Sequence, residues 1–284
     1  MSDFLSAFQK EILDREGANV FFIAEYGEDG IQTQSLCTTN PCQNVYSIAK
    51  AFVVTAVGLL VDRGRLSTNE ILTDILANEL PATYHPVWKR TSVEMLLLHK
   101  VGLTKNFLDI DGQDATAFGR DYLSYVLNAP IHADFDGTTA TYTDAAYYLL
   151  SRIVEKRAGM PLDDFLWKHL FAPMKFREAA WSHCPMGHAM GATGLYLRIE
   201  DLIKLGALYL NHGVYEGRRL LSEGWVDTVL SKGYELKLQK NGKAYGKGGM
   251  RGQRLMLLPH SHRVVAWLGC GNNAFGDFVA EYFS

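Results

Sequence analysis

Two residues of this 284-residue chain, Ser47 and Lys50, have types and a spacing suited to chemistry. Residues three apart on a helix lie on one face. A serine hydroxyl becomes an effective nucleophile when an adjacent amine holds or accepts its proton, and a helix N-terminus supplies backbone N–H groups where an oxyanion develops. The pair is therefore a candidate nucleophile and base. A serine that caps a helix and a lysine that extends to the surface would give the same spacing.

The segment after Lys50 is almost entirely apolar, and residues 51–61 include no charge. This pattern predicts a helix that is hydrophobic on all sides and lies in the core. The run is too short to cross a bilayer, which needs roughly 20 apolar residues. A lysine buried at the start of such a helix loses its hydration at a large cost unless a partner or a function offsets it. A buried Lys50 would therefore require an explanation, and a catalytic role would provide one.

Composition restricts the classes of partner. The net charge of −3 and the absence of a basic run argue against nucleic acid binding and favour a small-molecule substrate. The four cysteines show no C-x-x-C spacing, so neither a metal nor another cofactor is expected. The N-terminus does not resemble a secretory signal, which predicts a cytoplasmic protein with reduced cysteines and no membrane partner. The oligomeric state stays open.

Local patterns predict strands near both ends of the chain and helices between them. The chain begins with an amphipathic helix and a hairpin, and it ends with a second hairpin and a helix. Elements of this order are typical of an α+β protein in which both termini build one antiparallel sheet, flanked by helices and carrying a helical insertion. The predicted segments are helices over 3–15, 51–61, 145–156, 199–211 and 273–283, and strands over 18–24, 31–36, 254–258 and 263–269.

Three short motifs fall in order along the chain: Ser47–Lys50, Tyr142–Asp144 and Lys247–Gly249. They resemble the three motifs of the serine β-lactamase and penicillin-binding protein superfamily. The tyrosine in the second motif is most similar to the class C branch and its esterase and D-amino-acid peptidase relatives. The resemblance covers roughly residues 40–275. It implies one β-lactamase-like catalytic domain over 1–284, with an α/β part of about 1–60 and 190–284 and a helical part of about 61–189.

The resemblance implies a role for each motif. Ser47 would form an acyl-enzyme, and Tyr142 would act as, or assist, the general base. A phenol is a poor base unless positive charge nearby favours the phenolate, and Lys50 and Lys247 would supply that charge. The backbone N–H groups of Ser47 and Met250 would form the oxyanion hole.

The third motif would lie on a strand facing the serine. Small residues there, Gly248 and Gly249, would let the substrate backbone approach closely. Lys247 would orient the substrate, through a carboxylate if it carries one. A nucleotide-binding interpretation of this glycine-rich segment lacks the required Walker spacing.

Simpler interpretations exist for the second motif. Tyr142 is one of 14 tyrosines and could equally be an aromatic residue packed in the core. Asp144 is of a residue type that commonly caps a helix, and a helix is predicted to follow it. The chain has no G-x-S-x-G segment, which argues against an α/β-hydrolase triad.

Two positions depart from the family pattern. Asp144 stands where asparagine is usual and adds a negative charge, and Gly248 stands where a hydroxyl residue or another side chain is usual. Both changes weaken the case for a substrate carboxylate. The sequence therefore favours a carboxylesterase- or amidase-like serine hydrolase of small esters or amides. The alternatives are β-lactamase or D,D-peptidase activity, or a catalytically silent relative that binds a ligand.

Overall fold

The antiparallel sheet predicted from the two ends of the chain is present in a computed structural model, which describes residues 2–240 and 242–284. The helices are α1 (Asp3–Asp14), α2 (Ala49–Val61), α3 (Leu72–Ile75), α4 (Val93–Leu97), α5 (Tyr122–Leu127), α6 (Asp144–Ala158), α7 (Leu162–Leu166), α8 (Ile199–Leu210), α9 (Glu223–Lys232) and α10 (Gly276–Tyr282). The strands are β1 (Val20–Gly27), β2 (Gly30–Ser35), β3 (Gln43–Asn44), β4 (Ala179–Trp181), β5 (Leu195–Leu197), β6 (Val214–Tyr215), β7 (Arg218–Arg219), β8 (Lys237–Leu238), β9 (Tyr245–Gly248), β10 (Arg254–Leu258) and β11 (Arg263–Gly269). The α+β class is confirmed.

The chain divides into two units. Unit 1 consists of the chain up to Phe52, Phe171–Ala180 and Leu195–Ser284, and unit 2 consists of Val53–Leu170 and Trp181–Gly194.

The main sheet of unit 1 has six strands within the described residues, in the order β2-β1-β11-β10-β9-β8. Every neighbouring pair is antiparallel. Strand β1 lies between β2 and β11, so the first and last strands of the chain pair directly, with Tyr26 opposite Val264. The predicted hairpin of 254–258 and 263–269 is confirmed residue for residue as β10 and β11.

Helices cover both faces of this sheet, which explains why its central strands are buried. On one face, Phe8 of α1 packs edge-on against Trp267, with ring centroids 5.5 Å apart. On the other face α8 packs on β1, β10 and β11. Gly206 permits the close approach of α8, because a Cβ at this position would lie 2.4 Å from Val264 Cγ1.

Unit 2 is built around α6, which is buried along most of its length and contacts α3, α4 and α7. The helix begins at Asp144 and ends at Ala158, and the left-handed backbone of Gly159 (φ 70°) closes it as glycine commonly does. The sequence placed both ends of this helix correctly to within a residue or two.

A group of charged side chains extends from the last turns of α6. Glu155 contacts the imidazole of His188, with 2.9 Å between Oε2 and Nδ1, and the guanidinium of Arg152, with 3.1 Å between Oε2 and Nε. Burial raises the pKa of Glu155 to about 7, although Arg152 opposes the shift. Burial is the main cause that lowers the pKa of His188, and repulsion from the Arg152 guanidinium lowers it further. Both shifts favour the uncharged forms of Glu155 and His188.

We expect the contribution of Glu155 to the free energy of unfolding to decrease as pH rises from about 4.5 to 7. The folded protein retains the Glu155 proton up to about pH 7, whereas the unfolded chain loses it near the ordinary glutamate value. Its contribution is thus fully present below that value and is lost as pH rises through the folded pKa. The lowered pKa of His188 acts in the opposite direction, because the unfolded chain gains that proton first as pH falls.

Urea unfolding of the wild type and Glu155→Gln at about pH 5 and 7.5 measures the Glu155 contribution. The loss of unfolding free energy between these values should be larger in the wild type by roughly 2 kcal/mol. Equal pH dependence in the two proteins would show that Glu155 does not carry the shift.

Candidate active site

Ser47 lies in a short 3₁₀ turn, Tyr46–Ile48, that leads directly into α2. The prediction placed Ser47 at the N-terminal end of the buried helix, and in the structure α2 begins at Ala49, directly after this turn. Tyr46 adopts a left-handed backbone (φ 48°), which is uncommon for a residue with a side chain and is concentrated at functional sites. The side-chain oxygen of Asn44 accepts the Tyr46 N–H at 2.8 Å. The chain therefore turns sharply just before Ser47.

Lys50 contacts Ser47 as the spacing predicted. Its Nζ donates a hydrogen bond to Ser47 Oγ at 3.0 Å, and the whole residue is 0% exposed. The alternative of a lysine that extends to the surface is therefore wrong. A buried lysine whose amine lies on a serine hydroxyl is the arrangement that activates a nucleophile.

The third motif lies beside the turn that carries Ser47. It occupies the end of β9, and Gly249 packs so closely that a Cβ there would lie 2.4 Å from the carbonyl oxygen of Val45. Glycine at this position is thus a requirement of packing between the strand end and the nucleophile turn. The packing around Gly248 is less restrictive, because a Cβ there would lie 3.1 Å from Nη1 at the end of the flexible Arg254 side chain. Met250 follows and is 40% exposed.

Gln253 ties the same region together, and sequence reasoning did not identify it. Its side-chain amide donates to the backbone carbonyl oxygens of Asn44 at 3.3 Å and Gly269 at 2.8 Å. Its backbone carbonyl accepts a hydrogen bond from the Gly249 N–H at 2.9 Å. One buried residue thus connects the chain before Ser47, the third motif and β11. No local pattern in the sequence signals it.

Lys247 forms an ion pair with Glu235, a residue that the sequence analysis did not single out. The Glu235 side chain is 0% exposed and that of Lys247 is 13% exposed. The lysine predicted to orient a substrate is thus already engaged by a buried carboxylate of the protein.

The second motif belongs to unit 2, where His99 holds it. His99 is buried, and its ring lies 4.7 Å from that of Tyr142. The Thr143 N–H donates to His99 Nδ1 at 3.3 Å, and the Thr141 N–H donates to the His99 carbonyl at 3.0 Å. An Nδ1 that accepts a hydrogen bond leaves the proton of a neutral imidazole on Nε2. These contacts show that His99 positions the segment that carries the second motif.

Asp144 is the first residue of α6 and is 5% exposed, whereas the N-cap position is held by Thr143. The interpretation of Asp144 as the cap residue is therefore wrong by one position. A carboxylate in the first turn still interacts favourably with the helix dipole. The Thr143 hydroxyl donates to the carbonyl of Phe107 at 2.9 Å, and the Asp144 N–H donates to the same carbonyl at 3.1 Å.

The structure thus groups Ser47, Lys50 and the third motif within unit 1, and it places Tyr142 and Asp144 at the start of α6 in unit 2. Among residues 2–240 and 242–284, no group of three or more His, Cys, Asp or Glu side chains is arranged to hold a metal ion. In that part of the chain, no helix combines the length and apolar character needed to cross a membrane.

The chain is similar to known proteins over most of its length. A family model described as Beta-lactamase matches residues 11–279. The 6-aminohexanoate-dimer hydrolase of Paenarthrobacter ureafaciens is 25% identical over 259 positions, covering 78% of this chain and 64% of that protein, so the chain spans less than two thirds of this relative. Penicillin-binding protein 4 of Amycolatopsis lactamdurans is 30% identical over 299 positions, covering 86% of this chain and 77% of that protein.

A solved structure of a penicillin-binding protein homologue from Caulobacter crescentus has the same fold. It superposes with a TM-score of 0.72 at 16% identity, covering 95% of this chain and 93% of that one.

Proposed function

Because the chain belongs to the β-lactamase family of serine hydrolases, we propose that it hydrolyses small esters or amides through an acyl-enzyme formed on Ser47. The observation that carries this proposal is the hydrogen bond from the buried amine of Lys50 to the Ser47 hydroxyl. The name of the hydrolase relative, which acts on a dimer of an amino acid, supports an amide or a related acyl bond as the substrate.

Acylation begins when Ser47 Oγ bonds to the carbonyl carbon of the substrate and its proton leaves. The Lys50 Nζ, donating to Oγ, stabilises the alkoxide that attacks. We assign the proton to Tyr142, as the family resemblance implies. Collapse of the tetrahedral intermediate breaks the bond to the alcohol or amine, which takes that proton as it departs.

Deacylation repeats the sequence with water as the nucleophile. Water adds to the acyl-enzyme carbonyl while Tyr142 takes its proton, and Ser47 regains a proton as the acid is released. The N–H groups of Ser47 and Met250 are the proposed donors to the oxyanion in both halves. The single catalytic domain and the cytoplasmic location inferred from the sequence remain predictions.

The test is intact-mass spectrometry after treatment with a fluorophosphonate probe. We expect one covalent adduct per chain, located on the peptide that contains Ser47, because the probe phosphonylates activated serines. A protein that stays unlabelled, while a known serine hydrolase labels in the same mixture, would contradict the acyl-enzyme mechanism and favour a silent ligand-binding relative.

Penicillin distinguishes the alternative activity in the same assay. Penicillin-binding activity is kept as a second candidate because a penicillin-binding protein is 30% identical. A stable penicilloyl adduct on Ser47 would identify it. Rapid hydrolysis of the penicillin without an adduct would identify a β-lactamase. We expect neither at rates that approach those on neutral esters.

A further inference from the structure

Glu235 is held in a strained turn that faces the third motif. Its backbone has φ 63°, and the Leu236 N–H donates to the Tyr234 carbonyl at 2.8 Å across it. A three-residue turn around a residue of positive φ is the rarer and more strained kind of γ-turn. Such backbone persists only where the surrounding structure enforces it, and it clusters at functional sites.

The register of the sheet explains why this turn meets Lys247. Strand β8 pairs with β9 so that Lys237 lies opposite Gly246 and Leu238 lies opposite Tyr245. The γ-turn comes immediately before β8, so Glu235 reaches the last residues of β9. The ion pair between Glu235 and Lys247 closes this end of the strand pair.

The pair changes the charge that a substrate meets. A buried carboxylate that is not paired is strongly disfavoured, so Glu235 holds Lys247 firmly. A second carboxylate, on a substrate, would have to share the ammonium with Glu235 and would be repelled by it. A substrate without charge in this region meets no such repulsion.

We propose that Glu235 determines whether this site accepts charged or uncharged substrates. Its pairing with Lys247 disfavours substrates that carry a carboxylate near the scissile bond and leaves uncharged esters and amides as the substrate class. The inference rests on the proposed function, since it assumes acyl transfer at Ser47. Glu235 acts through Lys247 and is thus a positioning residue.

The test compares two esters that differ in charge and little in shape, 3-acetoxybenzoate and 3-acetoxybenzamide. The quantity measured is the ratio of kcat/KM for the anionic ester to that for the neutral ester. In Glu235→Gln, which removes the carboxylate charge beside Lys247, this ratio should rise at least about tenfold over the wild type. In Glu235→Asp, which retains the negative charge, it should stay closer to the wild-type value.

Lys247→Gln supplies the opposite test and a second variant if Glu235→Gln folds poorly. It removes the ammonium and keeps the carboxylate, so the ratio should fall below that of the wild type. A merely structural role for the pair would lower both rates and leave the ratio unmoved in both variants. The double variant should lose the gain of Glu235→Gln.

The outcomes separate the two proposals. If the wild type hydrolyses the esters and the ratio changes less than about threefold in a folded Glu235→Gln variant, the role of Glu235 is overturned. If the wild type releases acetate from neither ester, the proposed function itself fails.

Discussion

Ser47→Ala should reduce the turnover of p-nitrophenyl acetate by at least about 10³-fold, since removing a catalytic nucleophile leaves only binding and oxyanion stabilisation. The effect is large because the hydroxyl is the atom that bonds to the substrate. In the structure that hydroxyl accepts a hydrogen bond from the buried amine of Lys50. The variant removes one oxygen atom at the surface of a turn, so the fold should persist.

The measurement is the steady-state release of p-nitrophenolate, with intact-mass labelling as a second readout. Ser231→Ala is a matched control, because Ser231 is exposed on α9 and its hydroxyl donates to the Thr228 carbonyl of the same helix. The control should match the wild type in both assays. Undiminished turnover in Ser47→Ala would place the nucleophile elsewhere in the chain.

Tyr142→Phe should lower kcat by about 10²- to 10⁴-fold, the usual contribution of a general acid or base. The substitution removes only the hydroxyl, so the ring should keep its contact with His99 at 4.7 Å between centroids. The change should therefore act on the proton transfer and leave the second-motif segment in place.

Tyr147→Phe is the control for this experiment. The Tyr147 ring also contacts His99, at 5.0 Å, but its hydroxyl donates to the buried carbonyl of Leu97 at 3.1 Å. Loss of that bond should cost about 1 kcal/mol of stability and little activity. A fall in kcat of less than about fivefold in Tyr142→Phe would identify Tyr142 as packing and leave Lys50 as the base.

The sequence predicted the parts of the fold that depend on local pattern. The hairpin of β10 and β11 and the limits of α6 follow from alternating apolar residues, helical periodicity and a closing glycine, and these signals act over a few residues. The apolar helix after Lys50 raised the question of a buried lysine, and the structure buries Lys50 completely. Each of these inferences needed only the neighbours of a residue in the chain.

The parts that were missed depend on distant contacts. Glu235 precedes its partner Lys247 by a turn and a strand, and only the register of β8 against β9 brings them together. His99 is far in sequence from Tyr142, and Gln253 is farther still from Asn44. Such pairings are set by the tertiary fold, so propensity and spacing do not reveal them.

The direct pairing of β1 with β11 affects how the protein is made. Val264 follows its partner Tyr26 by 238 positions, so a ribosome adding about 5–20 residues per second needs roughly 10–50 s to complete the pair. During that interval β1 and β2 can form their hairpin. The other edge of β1 keeps unpaired backbone groups, which can form hydrogen bonds with a strand of another chain. The sheet can therefore close only after β11 has been synthesised, so this edge of β1 stays exposed throughout that interval.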